Sequence, residues 1–249
     1  MTIVIKLGGR VQSDPRLATA LHDLWNANQG AVCIVHGGGD EVSALQRQLG
    51  REPEFVNGRR VTTDEDVELV RMVLSGSANK RLVAMLTAAG IPAAGISGED
   101  GKLLPATPLD ARLGRAGKPL APDARLIRAL LAAGFLPVIS PVATDSTSTS
   151  RAPLNVNGDD AAAAIAAALS AELWMIADVA GVLDAGSAVI RGINAARLPS
   201  LVAAGTVNKG MHAKLEAGFA ALEAGSPGVR IASLDAFSNP DAGTFLSLK

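Results

Sequence analysis

The 249-residue chain holds one cysteine and three histidines, and its lysines and arginines (23) almost match its acidic residues (24). One cysteine, Cys33, excludes an internal disulfide framework and fits a reducing, cytoplasmic setting. It lies within the apolar run Ala31 to Val35 and reads as a small core residue. His22, His36 and His212 are not paired at metal-ligand spacing and there is no HExxH, so no protein metal site is expected. No nucleophile elbow or Cys-His arrangement is visible. A net charge of -1 gives no electrostatic reason to expect a nucleic acid or an anionic membrane as partner. No basic n-region precedes the first apolar run, so no signal peptide is read. Residues 161–183 are long enough to span a bilayer, but alanine dominates the first half and Glu172 and Asp178 interrupt the second. A helix followed by a buried strand accounts for them better.

The chain is 48% hydrophobic, enough for a sizeable core. Short apolar runs alternate with longer helical patterns. Strands are expected at Ile3–Leu7, Ala31–Val35, Pro92–Ile96, Leu136–Ile139, Glu172–Ala177 and Gly228–Ala232. Helices are expected at about Asp14–Ala27, Asp40–Leu49 and Asp64–Ala89, the last with a kink near Gly76. Continuous apolar strands in a β-α-β rhythm predict an α/β fold with a mainly parallel sheet covered by helices on both faces. Residues 98–122 are rich in Gly, Pro and Asp and read as hairpins beside the sheet, and residues 143–151 as a polar hairpin tip. A lobe boundary is expected near residue 170, giving segments 1–170 and 171–249.

Glycines sit where such strands end: Gly8 and Gly9 after the first, and Gly37, Gly38 and Gly39 after the second. Ligands of open α/β sheets bind beyond the carboxyl ends of the strands, where glycine lets backbone N–H groups approach an anion. Neither cluster is a P-loop or a dinucleotide fingerprint, and each alone is equally well a tight turn. Lys6 tips the balance, because a lysine inside an apolar strand is costly unless its ammonium reaches an anion or water. "NGRRVT" (residues 57–62) offers two arginines, one of which could clamp a carboxylate. In "LNVNGDDAA" (residues 154–162) an N-cap role explains one asparagine but not Asn155 as well, and Asp159 suits a first helical turn or could orient a lysine. Near the end, Met211, Leu215, Phe219 and Leu222 form an apolar helical stripe with Lys214 off it. A cation so near a helix start is unfavourable unless an anion binds there.

Taken in order, "KLGG", "HGGG", "NGRRVT", "NVNGDDAA", "ADVAGVLD" and "GMHAKLEAG" resemble the amino-acid kinase family from end to end. The resemblance implies a three-layer αβα sandwich, with an N-terminal acceptor lobe carrying the dimer surface and a C-terminal nucleotide lobe. "NGRRVT" together with "LNVNGDD" is similar to the branch that moves the γ-phosphoryl of ATP, with Mg²⁺ arriving on the nucleotide, to the side-chain carboxylate of N-acetyl-L-glutamate in arginine biosynthesis. The roles it implies are these. Lys6 and Lys214 neutralise the transferring phosphoryl, and Asp159 holds both. Gly8, Gly9, Gly38 and Gly39 supply backbone donors. Arg60 and Asn155 bind the acceptor. Asp178, Val179, Ala180, Gly181, Val182 and Leu183, with Thr206, Val207 and Asn208, line the nucleotide. Arg10, Arg59, Asn208 and Lys209 depart from the pattern. N-succinylglutamate, a carrier-protein-linked glutamate or aminoadipate, or a non-catalytic sensor are the alternatives. Arginine-inhibited members of this branch build a hexamer through a helix ahead of the first strand. Here the strand begins almost at Met1, so a homodimer with little arginine inhibition is expected.

Overall fold

The computed structural model describes residues 1–249 except Gln29, Arg151 and Asn208, and of Lys209 the backbone only. The first strand, β1 (Ile3–Leu7), leads through a short 3₁₀ turn to α1 (Leu17–Asn28), then to β2 (Val32–His36) and α2 (Gly39–Gln48). A small hairpin, β3 (Phe55–Val56) and β4 (Arg59–Arg60), precedes α3 (Asp64–Arg71). A capping box between Thr63 and Asp66 starts α3. A π-helical stretch, Met72–Ala78, joins it to α4 (Asn79–Ala88), so the expected kink near Gly76 is a wide turn within one continuous helical run. Next come β5 (Ala93–Ser97), β6 (Pro105–Pro108), β7 (Ala116–Pro119), α5 (Arg125–Ala132), β8 (Leu136–Ser140), β9 (Val142–Asp145) and β10 (Pro153–Val156). The last third is α6 (Gly158–Leu169), β11 (Glu172–Ile176), β12 (Gly192–Asn194), α7 (Leu198–Ala203), α8 (Lys209–Glu223), β13 (Val229–Ala232) and β14 (Thr244–Ser247).

Eight strands form one sheet in the order β12-β14-β13-β11-β1-β2-β8-β5. The six from β13 to β5 are parallel to one another, and β14 is antiparallel to β13. Strand alternation divides the core between the two faces. Ile3, Ile5 and Leu7 pack with Leu17, Leu21, Leu82 and Leu86 on the side of α1 and α4. Val4, Cys33, Val35, Leu173 and Met175 pack with Ile165, Leu215 and Phe219 on the side of α6 and α8. Both faces are covered, as the apolar strands require, and the fold is a three-layer αβα sandwich. Ala161, Ala162 and Ala166 have no solvent exposure, so the small side chains of α6 let it lie close against the sheet. The Gly- and Pro-rich region is more ordered than a set of loops. Hairpin β6–β7 closes with β9 and β10 into a four-stranded barrel, and residues 143–145 of the expected hairpin tip belong to β9. Among the described residues no helix is long and apolar enough to cross a membrane.

His36 ends β2 with no exposed surface. Its Nε2 lies 3.1 Å from the Asn79 Nδ2 amide, which also donates to the Val138 carbonyl at 2.9 Å. That amide can only donate, so Nε2 accepts, and Nδ1–H donates to the Gly37 carbonyl at 2.9 Å. The ring is therefore a neutral strut between α4 and the glycine turn. Burial, more than any other cause, pushes its pKa down to about 4. An unfolded histidine titrates near 6.5, so between those values the unfolded state binds the extra proton and stability falls as pH falls. We predict that urea unfolding at pH 5 gives about 2 kcal/mol less stability than at pH 7 from this residue alone. The difference should vanish in His36→Gln; an equal pH-dependence in the variant would show that His36 is not its source.

Candidate active site

Alternation along β1 puts Lys6 on the α6 side of the sheet, two residues from the turn at Gly8 and Gly9. Asn157 caps α6, its Oδ1 accepting the Asp159 N–H at 2.8 Å, which leaves Asp159 in the first helical turn, where the helix dipole favours negative charge. Lys214 projects from α8, next to the buried Leu215. The three side chains meet. Lys6 Nζ lies 2.9 Å from Asp159 Oδ1, and Lys214 Nζ donates to Oδ1 at 3.2 Å and Oδ2 at 3.0 Å. Their side chains keep only 9%, 18% and 8% of their exposure for Lys6, Lys214 and Asp159 respectively. Burial alone would raise the Asp159 pKa, but the two ammonium groups outweigh it and hold the carboxyl down at about 2. Burial, then the charge of Lys6, lowers the pKa of Lys214. The arrangement carries one surplus positive charge. Gly158 makes room for it, because a Cβ there would stand 3.3 Å from Lys6 Cε.

Two cavities open on either side of Lys6. One, of about 230 Å³, is bounded by Gly37, Gly38, Gly39, Arg60, Asn155 and Asp159, with Phe55 and Leu74 among its apolar walls. The other, of about 310 Å³, is bounded by Gly8, Gly9, Arg10, Asp40, Asp178 and Lys214. Lys6 and Gly39 belong to both. A larger groove of about 680 Å³ lies between α6 and α8, but its walls are mostly alanine, leucine and proline and its charged groups are few. The polar groups converge on the two smaller cavities.

Arg60 is held from several sides. Nη2 donates to the Gly39 carbonyl and to Ser43 Oγ, each at 2.8 Å, and Nη1 donates to Gln46 Oε1. Gln46 is in turn oriented by Asp66 of the α3 capping box, at 3.0 Å. The guanidinium stands 4.8 Å from the Phe55 ring centroid. Three of its five N–H groups are thus engaged, and two remain. Asn155 Nδ2 donates to Thr62 Oγ1 at 3.0 Å, which fixes the amide at the wall of the smaller cavity. The remaining asparagine of the pair, Asn157, is the N-cap.

The glycines are not equivalent. The Gly8 N–H donates to the Ile176 carbonyl at 2.9 Å and extends the β1–β11 pairing, so this amide is not the free donor expected from the sequence. Gly38 and Gly39 open α2, whose first amides have no intrahelical acceptor. A Cβ on Gly38 would approach Leu74 Cδ2 to 2.7 Å. Of the stretch expected to line a nucleotide, Asp178 reaches the 310 Å³ cavity. Val182 and Val207 are buried in the core, Gly181 packs against Thr244, and Val179, Ala180, Leu183 and Thr206 line neither cavity. Asn208 lies outside the described residues. No local motif marks Gln46, Ser43 or Phe55 as site residues. The only hint was the predicted helix beginning near Asp40, on which Ser43 and Gln46 share a face at i, i+3. Among the described residues no group of three or more His, Cys, Asp or Glu side chains could cage a metal. Asp40 and Asp178 do line the larger of the two cavities, a donor set that fits a hard cation keeping water and phosphate ligands.

A strand-end site with two lysines on one carboxylate, glycine turns on neighbouring strands and a clamped arginine defines a class that binds phosphoryl groups beside a small anion. The chain belongs to the amino acid kinase family, whose model matches residues 1–233. Acetylglutamate kinase of Geobacillus kaustophilus is 42% identical over 235 residues, covering 93% of this chain and 90% of that one. Acetylglutamate kinase of Paracoccus denitrificans is 42% identical over 227 residues, covering 90% and 74%. Among solved structures, smu.665 from Streptococcus mutans superposes with a TM-score of 0.87 at 26% identity, covering 100% and 99% of the two chains.

We predict that Lys6→Ala and Lys214→Ala each lower kcat at least about a hundredfold. Asp159→Asn leaves two buried ammonium groups without their counter-charge and should cost roughly 3 kcal/mol of stability as well as turnover. Because the Asp159 pKa is depressed, this stabilisation is complete above about pH 4 and is lost as pH falls towards 2. Chemical denaturation of both proteins at pH 7 and pH 3 measures it. Equal stability at pH 7, or wild-type kcat in either lysine variant, would contradict this role.

Proposed function

We propose that this chain is an acetylglutamate kinase, transferring the γ-phosphoryl of ATP to the side-chain carboxylate of N-acetyl-L-glutamate in arginine biosynthesis. The observation that carries the proposal is the position of Lys6, between a cavity with an arginine clamp and a cavity with glycine turns, Lys214 and Asp178. The 230 Å³ cavity takes the acceptor. Arg60 holds its α-carboxylate by its charge and an N–H left free, and Asn155 contacts the substituents at its α-carbon. The 310 Å³ cavity takes the phosphates, with Asp178 the one residue of the expected nucleotide stretch at its wall among the described residues. Residues 1–170 act as the acceptor lobe and 171–249 as the nucleotide lobe, joined across the β1–β11 pairing.

A carboxylate acceptor is ionised at neutral pH, so the reaction needs no general base. Its difficulty is bringing two anions together, and it is met by placement and charge. Lys6 and Lys214 face the transferring group, while Asp159 fixes both ammonium positions and leaves their surplus charge for the phosphoryl oxygens. The Gly9, Gly38 and Gly39 amides add donors. Mg²⁺, when bound with the nucleotide, supplies further neutralisation of phosphate charge. His36, His22 and His212 take no part. The first is a neutral strut, and the others line neither cavity. Arg59 lines the acceptor cavity but is matched by Asp160 at 2.6 Å, so its charge is already balanced. That favours an N-acetyl over an N-succinyl group, which would bring a second carboxylate. A homodimer in the cytoplasm completes the proposal.

An ATP-dependent hydroxamate assay with N-acetylglutamate, N-succinylglutamate, glutamate and aspartate tests it. We expect turnover with the first and little with the others. Arg60→Lys, which keeps the charge but loses the planar fork, should raise the KM for N-acetylglutamate about tenfold or more and leave that for ATP nearly unchanged. Preference for another acceptor, or the KM effect arising in Arg59→Lys instead, would reject the assignment.

A further inference from the structure

Arg10 stands directly after the glycine pair and lines the same cavity as Lys6 and Lys214. Among the described residues its guanidinium has one hydrogen-bond and ion-pair partner, Asp178 Oδ2 at 3.2 Å. The two side chains are 77% and 52% exposed, and an ion pair so open to water is held weakly. The Lys6–Asp159–Lys214 charges are locked together by burial, whereas the Arg10 pair is free to exchange. A polyphosphate entering this cavity offers a guanidinium denser negative charge and a bidentate pair of oxygens.

We propose that Arg10 is a third phosphate-binding cation of this enzyme, its guanidinium exchanging the Asp178 carboxylate for the terminal phosphates of the nucleotide. The inference rests on the nucleotide occupying this cavity. It adds a third cation for the polyphosphate, beside the two buried lysines that face the transferring group. The Arg10 side chain is 77% exposed, so its replacement removes no buried group from the core.

Isothermal calorimetry with ATP and with AMP, in EDTA and without acceptor, tests the proposal. Arg10→Ala should bind ATP about tenfold more weakly, the size expected for one charge-assisted hydrogen-bonded contact, and bind AMP as the wild type does. Arg10→Lys should recover part of the loss. ATP affinity within twofold of wild type, or a parallel loss for AMP, would overturn it, the second outcome making Arg10 a support for the nucleotide loop. Wild-type protein that binds no ATP would instead refute the assignment of the cavity itself.

Discussion

Two ammonium groups share one carboxylate at the centre of this molecule, largely shielded from bulk water. Each of the three charges would be costly there alone, and a missing partner leaves the others uncompensated. That requirement couples three separate elements. The first strand must bring Lys6 to the α6 face, α6 must start where Asn157 caps it, and α8 must turn Lys214 inwards beside Leu215. In the proposed reaction the surplus positive charge that remains is what an incoming phosphoryl group meets. Stability and chemistry thus rest on the same contacts.

Around this centre the fold divides the work. Parallel strands carry the glycine turns to one edge of the sheet, and the helices behind them supply amides and polar side chains. The Arg60 clamp is built by a relay from the α3 capping box through Asp66 and Gln46, so a local helix-start signal fixes a distant guanidinium. His36 and Asn79 tie α4 to the second glycine turn from below. Among the described residues the two cavities share Lys6 and Gly39, the point where, on the proposed assignment, the phosphoryl passes from nucleotide to acceptor.

Much of this was legible in the sequence because the cues were local. Apolar runs of strand length, glycines at their ends and the stripe Met211, Leu215, Phe219 and Leu222 placed the sheet and α8. Lys6 was conspicuous because it violated the apolar pattern. What was not legible depends on tertiary pairing. Nothing in residues 98–122 announces that their hairpin closes a barrel with β9 and β10, since that requires strands about 40 residues apart to register. The short strands β12 and β14 lack apolar runs, and pairing alone defines them. That the Gly8 amide faces Ile176, and that Arg59 meets Asp160 across 101 residues, are likewise consequences of packing.

The central claim is that the shared carboxylate organises two cations for the transition state and not for the ground state. The direct measurement is the affinity of the wild type and of Asp159→Asn for ADP alone and for ADP with aluminium fluoride, Mg²⁺ and N-acetylglutamate, a mimic of the transferring phosphoryl. The account predicts that the substitution leaves ADP binding within a few-fold but weakens the mimic by about two orders of magnitude. Equal losses for both ligands, or undiminished capture of the mimic, would contradict it.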